Sequence, residues 1–73
     1  MEKRMFELLM EKSGFDSFSE GVYEFINNEI VMVANLNEGI FKIVNRKIKY
    51  LKTFKIFDEK DMDIILDSIE YWC

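Results

Sequence analysis

Between Val22 and about Phe57 three polar interruptions, Asn27-Asn28, Asn37-Glu38-Gly39 and Asn45-Arg46, cut the chain into short segments rich in Val, Ile, Phe and Tyr. Connections this short join antiparallel neighbours, so the stretch predicts a meander of four strands: Val22–Ile26, Glu29–Leu36, Ile40–Val44, and Lys47 to about Phe57. Asn tolerates positive φ, which suits a two-residue turn at Asn27-Asn28. Asn-Glu-Gly suits a three-residue loop with Gly in the left-handed position. Asn45-Arg46 is the weakest of the three because Arg resists positive φ.

Helical periodicity brackets these strands. Over Glu2–Ser13, Met1, Met5, Leu8 and Leu9 fall on one face, Phe6 and Met10 widen the stripe, and Gly14 stands where a left-handed stop belongs. Phe15 and Phe18, among Asp16, Ser17, Ser19 and Glu20, read as a loop or single turn whose rings cover an end of the core. The last segment opens on Asp58 as N-cap with Asp61 three residues on, a variant of the capping box. Its buried stripe is expected to be Met62, Ile65, Leu66, Ile69 and Cys73, with Trp72 at the margin. The expected fold is one α+β domain over residues 1–73, a four-stranded antiparallel β-meander flanked by an N-terminal and a C-terminal helix (α-ββββ-α).

A chain of 73 residues buries only roughly 60% of the surface its unfolded form exposes. Its hydrophobic fraction of 49% offsets that small size, and a charged fraction of 33% argues for a folded, soluble domain over a disordered one. The longest apolar run, Ile30–Ala34, is too short to span a bilayer, and the N-terminus does not read as a signal peptide. With a single cysteine, Cys73, the expectation is a free-standing small cytoplasmic protein with no membrane association.

Registering the hairpins through the expected turns sorts the sheet into two faces. One carries Val22, Ile26, Val31, Val33, Phe41, Ile43, Ile48 and Tyr50 and is the better candidate for packing under the helices. The other carries Tyr23, Phe25, Ile30, Met32, Leu36, Ile40, Val44 and Leu51 beside Lys42, Lys47 and Lys49. A sheet with one wet face should alternate more cleanly. Either the helices cover opposite faces, or the second face is left for a partner. On the latter reading Tyr23, Phe25, Ile30, Met32 and Leu36 form a homodimer face.

Charge is segregated as well. From Ile40 to Phe57 the chain carries Lys42, Arg46, Lys47, Lys49, Lys52 and Lys55 and no acid, whereas Asp58–Cys73 carries six carboxylates against Lys60. Two faces of opposite potential steer encounter with a charged partner. The chain has no His, and Cys73 sits beside a terminal carboxylate that would raise its thiol pKa, so catalysis is not expected. Asp58, Glu59, Asp61 and Asp63 lack the Gly and the terminal Glu of a calcium loop, and the glycines are isolated, so neither a metal nor a cofactor is implied. Lysines near Tyr50, Phe54 and Phe57 have the ingredients of a single-strand platform. Overall acidity, only two arginines and the adjacent acidic helix disfavour direct nucleic-acid binding.

On the helical wheel of the last segment Asp63, Asp67 and Glu70 form one flank, while Ile64 and Tyr71 lie opposite the buried stripe, where solvent is expected. These five residues are the candidate partner-binding surface. In size, acidity and spare apolar surface the chain is similar in kind to small phage-encoded inhibitors of host defence and repair enzymes, such as anti-CRISPR proteins and uracil-DNA glycosylase inhibitors, with no alignable stretch. That likeness implies a protein-binding module acting as a stoichiometric inhibitor of a larger, nucleic-acid-handling enzyme. The alternative is a homodimeric structural or regulatory subunit without inhibitory role.

Overall fold

The structure, a computed structural model, describes residues 3–56 and 58–72, apart from the side chain of Glu59. Helix α1 (Lys3–Lys12) precedes strands β1 (Asp16–Ser19), β2 (Val22–Asn27), β3 (Ile30–Asn35), β4 (Ile40–Asn45) and β5 (Tyr50–Lys55); a 3₁₀ turn (Glu59–Asp61) then leads into helix α2 (Met62–Trp72). The strands form one open antiparallel sheet in the order β1-β2-β3-β4-β5. The fold is α+β with a meander between two helices, and it has five strands where four were expected. The extra one, β1, occupies the supposed loop. All four of its residues are exposed and polar except Phe18, so it lacks the apolar alternation that marks a strand. Backbone pairing along β2 holds it, with a bulge between Ser17 and Ser19. A short, bulged edge of this kind resists further strand addition.

Local signals at the helix ends act as expected. Gly14 adopts φ +87°, and the amide of Phe15 donates to the carbonyl of Met10 (3.0 Å) while that of Gly14 donates to Glu11 (3.3 Å), a Schellman stop. At the start of the second helical segment the Asp58 carboxylate accepts from the Lys60 amide (3.0 Å) and the Asp61 carboxylate reaches back to the Asp58 amide (3.1 Å). This is the reciprocal capping box, with Asp in the second position. The expected contributions of Met1, Glu2, Phe57 and Cys73 lie outside the described residues.

Both helices pack on one face of the sheet. Phe6 and Met10 of α1 and Ile65 of α2 join Tyr23, Ile30, Met32, Ala34, Phe41 and Ile43 in a single buried cluster. The Tyr23 hydroxyl donates to Glu7 of α1 (3.4 Å), and the Tyr50 ring lies 5.1 Å from that of Trp72 in α2, so α1 covers the β2 side and α2 the β5 side. On α1 the buried stripe runs through Phe6 and Met10, with Met5 and Leu8 exposed, because the helix turns the flank bearing Lys3 and Glu7 towards Asn37 and Tyr23. Phe15 is buried against Phe25, ring centroids 5.3 Å apart, whereas Phe18 is exposed and covers nothing.

The expected face assignment was mixed, and one residue accounts for it. Asn35 pairs with Ile40, leaving a four-residue loop from Leu36 to Gly39 where a three-residue loop would pair Leu36 with Ile40. A slip of one flips every side chain of β4 and β5 to the other face relative to β2 and β3. The other two turns differ from expectation by even shifts, pairing Asn27 with Ile30 and Asn45 with Tyr50, and so leave the faces unchanged. In the true register Phe41 and Ile43 stand beside Ala34 and Met32. The expected dimer face is therefore the core: Tyr23, Ile30, Met32 and Leu36 are buried and Phe25 is half-buried beneath the helices.

Candidate partner-binding surfaces

Two surfaces remain once the core is accounted for. The first is the outward side of α2. Asp63, Asp67 and Glu70 are exposed along it, one to two turns apart as the helical period demands. Tyr71 on one flank is 78% exposed, and its ring meets Trp72 edge-on at 4.8 Å. Trp72 in turn rests on Tyr50, so the chain of contacts from β5 through Trp72 limits the freedom of an otherwise solvated phenol. Ile64 departs from expectation. It is half-buried and packs on the core, while Leu66, expected to be inside, is 45% exposed on the opposite flank. The buried line runs through Ile65 and Ser68, the Ser68 hydroxyl donating to the Ile64 carbonyl (2.7 Å). Ser68 thus takes a core position that a purely apolar stripe would deny it, and it is the residue that apolar counting missed. Of the five expected site residues, Asp63, Asp67, Glu70 and Tyr71 share the solvent side, and Ile64 does not.

The second surface is the face of the sheet turned away from both helices. Cross-strand pairing arranges it in three rows. One is wholly apolar, Ile26–Val31–Val44–Leu51. Its two ends are 59% and 64% exposed, so neither helix covers it. A middle row reads Asp16–Glu24–Val33–Lys42–Thr53, and a third reads Ser19–Val22–Asn35–Ile40–Lys55. Acids thus lie on the β1–β2 half and lysines on the β4–β5 half. A shallow depression of about 240 Å³ opens on the β4–β5 side, between Val33, Asn35, Glu38, Ile40, Lys42 and Thr53. Of the remaining lysines of the basic segment, Lys47 and Lys49 sit in the β4–β5 loop, and Lys52 lies on the helix side at the sheet edge with its ammonium 5.6 Å from the Phe54 ring. They make no continuous basic stripe.

Among the described residues no three His, Cys, Asp or Glu side chains gather as metal ligands would, and no helix is long and apolar enough to cross a membrane. Comparison of the chain with protein-family models, with curated proteins and with solved structures finds no significant match.

Proposed function

We propose that the protein is a small, acidic, non-catalytic protein-binding module that acts as a stoichiometric inhibitor of a larger nucleic-acid-handling enzyme, in the manner of phage anti-defence proteins such as anti-CRISPRs. The observation that carries this reading is Tyr71, an exposed phenol braced by Trp72 beside the carboxylates of Asp67 and Glu70. A rigid aromatic anchor amid negative charge suits a basic groove built for phosphates, where carboxylates displace the backbone of the nucleic acid and the ring fills a pocket. The test titrates the protein into purified basic-groove nucleases, glycosylases and CRISPR effectors and follows loss of their activity. A one-to-one endpoint is expected with at least one of them. Tyr71→Ala should weaken that inhibition by about 2 kcal/mol, roughly thirtyfold, with unchanged thermal stability. Asp63→Asn with Asp67→Asn should chiefly slow association and flatten its salt dependence. Undiminished inhibition by a folded variant carrying all three changes rejects this face. A second reading, a homodimeric structural or regulatory subunit, is favoured by a different observation, the uncovered apolar row of the sheet.

A further inference from the structure

The uncovered sheet face is complementary to itself, and we infer that it docks a second copy of this chain face to face, about a two-fold axis that runs along β3. Such an axis exchanges the two sides of the sheet while keeping each row at its own level. β2 then lies over β4 of the partner subunit, and β3 lies over its own equivalent. In the middle row Glu24 faces Lys42 of the partner subunit and Lys42 faces Glu24 of the partner subunit, with the two Val33 side chains meeting at the axis. In the apolar row Ile26 meets Val44 of the partner subunit and Val31 meets its own copy. In the third row Val22 falls on Ile40 of the partner subunit, and the two Asn35 side chains come together at the axis.

Three independent observations select this occupant and this orientation. Within the described residues neither the Glu24 nor the Lys42 side chain has a hydrogen bond or ion pair, and Val33 stands between them, so their charges are presented outward and are not spent on each other. Asp16 is placed directly beside Glu24 across the β1–β2 pair, a like-charge arrangement that is unfavourable unless a cation lies opposite. Lastly, the depression beside Lys42 lies where Glu24 and Val22 of the partner subunit would descend. The other symmetric docking, with the axis across the strands, places Glu24 on Glu24 and Lys42 on Lys42 and is repelled at both sites. At about 4.8 Å between strands and ~3.3 Å per residue the face measures on the order of 20 by 20 Å, so two copies cover about 800 Å² in total, which suits a weak, concentration-dependent pair. The twist of each sheet turns the two by about 30°, as in aligned sandwiches, and the axis bisects the two β3 strands. Because α2 lies on the far side of each sheet, the dimer presents two acidic helices outward, a bivalent arrangement able to engage a symmetric target with avidity.

This inference does not depend on the inhibitor reading, and the two fail separately. Sedimentation of the full chain at high micromolar concentration should give a dimer. Glu24→Lys and Lys42→Glu should each be folded by circular dichroism yet at least about tenfold weaker in self-association, since each places like charges together at two sites. Mixing the two variants should restore association as a heterodimer, because the lysine introduced at position 24 meets the glutamate introduced at position 42. The double variant should again self-associate. Should a charge variant fail to fold, Val31→Thr, which keeps shape and strand propensity, serves in its place and should also weaken the dimer. Tyr71→Ala should leave it unchanged. A wild-type monomer, unimpaired self-association of the folded single variants or of Val31→Thr, or a mixture that stays monomeric would each overturn the proposal.

Discussion

Successive residues of β3 meet two different environments. Ile30, Met32 and Ala34 are buried under the helices, while Val31, Val33 and Asn35 alternate with them on the uncovered face. Extended to the neighbouring strands, the covered side gathers Tyr23, Phe25, Phe41, Ile43, Tyr50 and Phe54, and the uncovered side gathers Val22, Ile26, Ile40, Val44 and Leu51 among Glu24, Lys42, Thr53 and Lys55. Both sides are apolar, so apolar content does not separate them. Size does. β-Branched residues favour the pleated backbone whether or not anything covers them, whereas aromatic rings and Met contribute mainly through the area they bury. In a small sheet the face with the rings is the one that receives the helices.

The sharpest way to break this comparison is to place the same charge on adjacent residues. Met32 has no solvent exposure, and Met32→Lys should cost on the order of 4 kcal/mol or more, because an unpaired ammonium would be buried. A chain of 73 residues has roughly 4 to 11 kcal/mol of stability in all, so a third or more of it should be lost. Val33→Lys, one residue on, should cost no more than about 1 kcal/mol in dilute protein, since its ammonium reaches water. Urea unfolding followed by circular dichroism measures both. Equal losses would mean that the two faces are not distinct within one copy of the chain.

The same comparison explains what could be read from the residues alone. The helices, their Gly14 stop and Asp58–Asp61 cap, and strands β2 to β5 rest on local chemistry, and local chemistry is written in short stretches of sequence. Pairing of β1 rests on backbone groups that every residue carries, so Asp16-Ser17-Phe18-Ser19 gave no sign of it. The face assignment rested on the length of one loop. Asn35 caps that loop by accepting from the amides of Asn37 and Glu38, both at 3.1 Å, and so belongs to β3 as its last residue. Counting Leu36 into the strand lost the register. For the candidate site, the acidic row and Tyr71 followed from the helical period, while the inward place of Ser68 and the outward place of Leu66 depend on how α2 rolls against the sheet, a tertiary matter.

A smaller effect should distinguish the two matching turns that close β4 at either end. Asn45 repeats the role of Asn35, its side-chain oxygen accepting from the amides of Lys47 (3.1 Å) and Ile48 (3.4 Å). Asn45 belongs to the covered face and is buried, whereas Asn35 is only half-buried on the other. The fourth loop residue has positive φ in both, +70° at Gly39 and +55° at Lys49. Asn45→Ala should therefore cost about 1–2 kcal/mol and Asn35→Ala less than about 1, because water can replace the lost acceptor more easily at the second site. Lys49→Gly should stabilise by roughly 0.5–1 kcal/mol by relieving a left-handed side-chain-bearing residue. Thermal melts of the three variants check the order. An Asn35→Ala loss larger than that of Asn45→Ala would show that burial does not set the dependence.

The least effect is expected from the one titration that is tied to the covered face. Burial pushes the Tyr23 phenol above its ordinary 10.0, the carboxylates of Glu7 and Glu11 add to this, the hydrogen bond to Glu7 contributes in the same direction, and Arg4 opposes them. The protonated phenol is thus favoured by the fold. A group whose pKa is raised on folding lends stability that is fully present below its unfolded value and is lost as pH climbs through the folded one. Below pH 10 wild type and Tyr23→Phe should differ by no more than about 1 kcal/mol, the worth of one long, partly buried hydrogen bond. Above pH 10 the wild type should lose stability relative to Tyr23→Phe, since everything but this phenol is common to the two chains. Urea midpoints of the pair, taken from neutral pH to beyond pH 11, measure this, and parallel curves throughout would mean that Tyr23 ionises as freely in the folded chain as in the unfolded one.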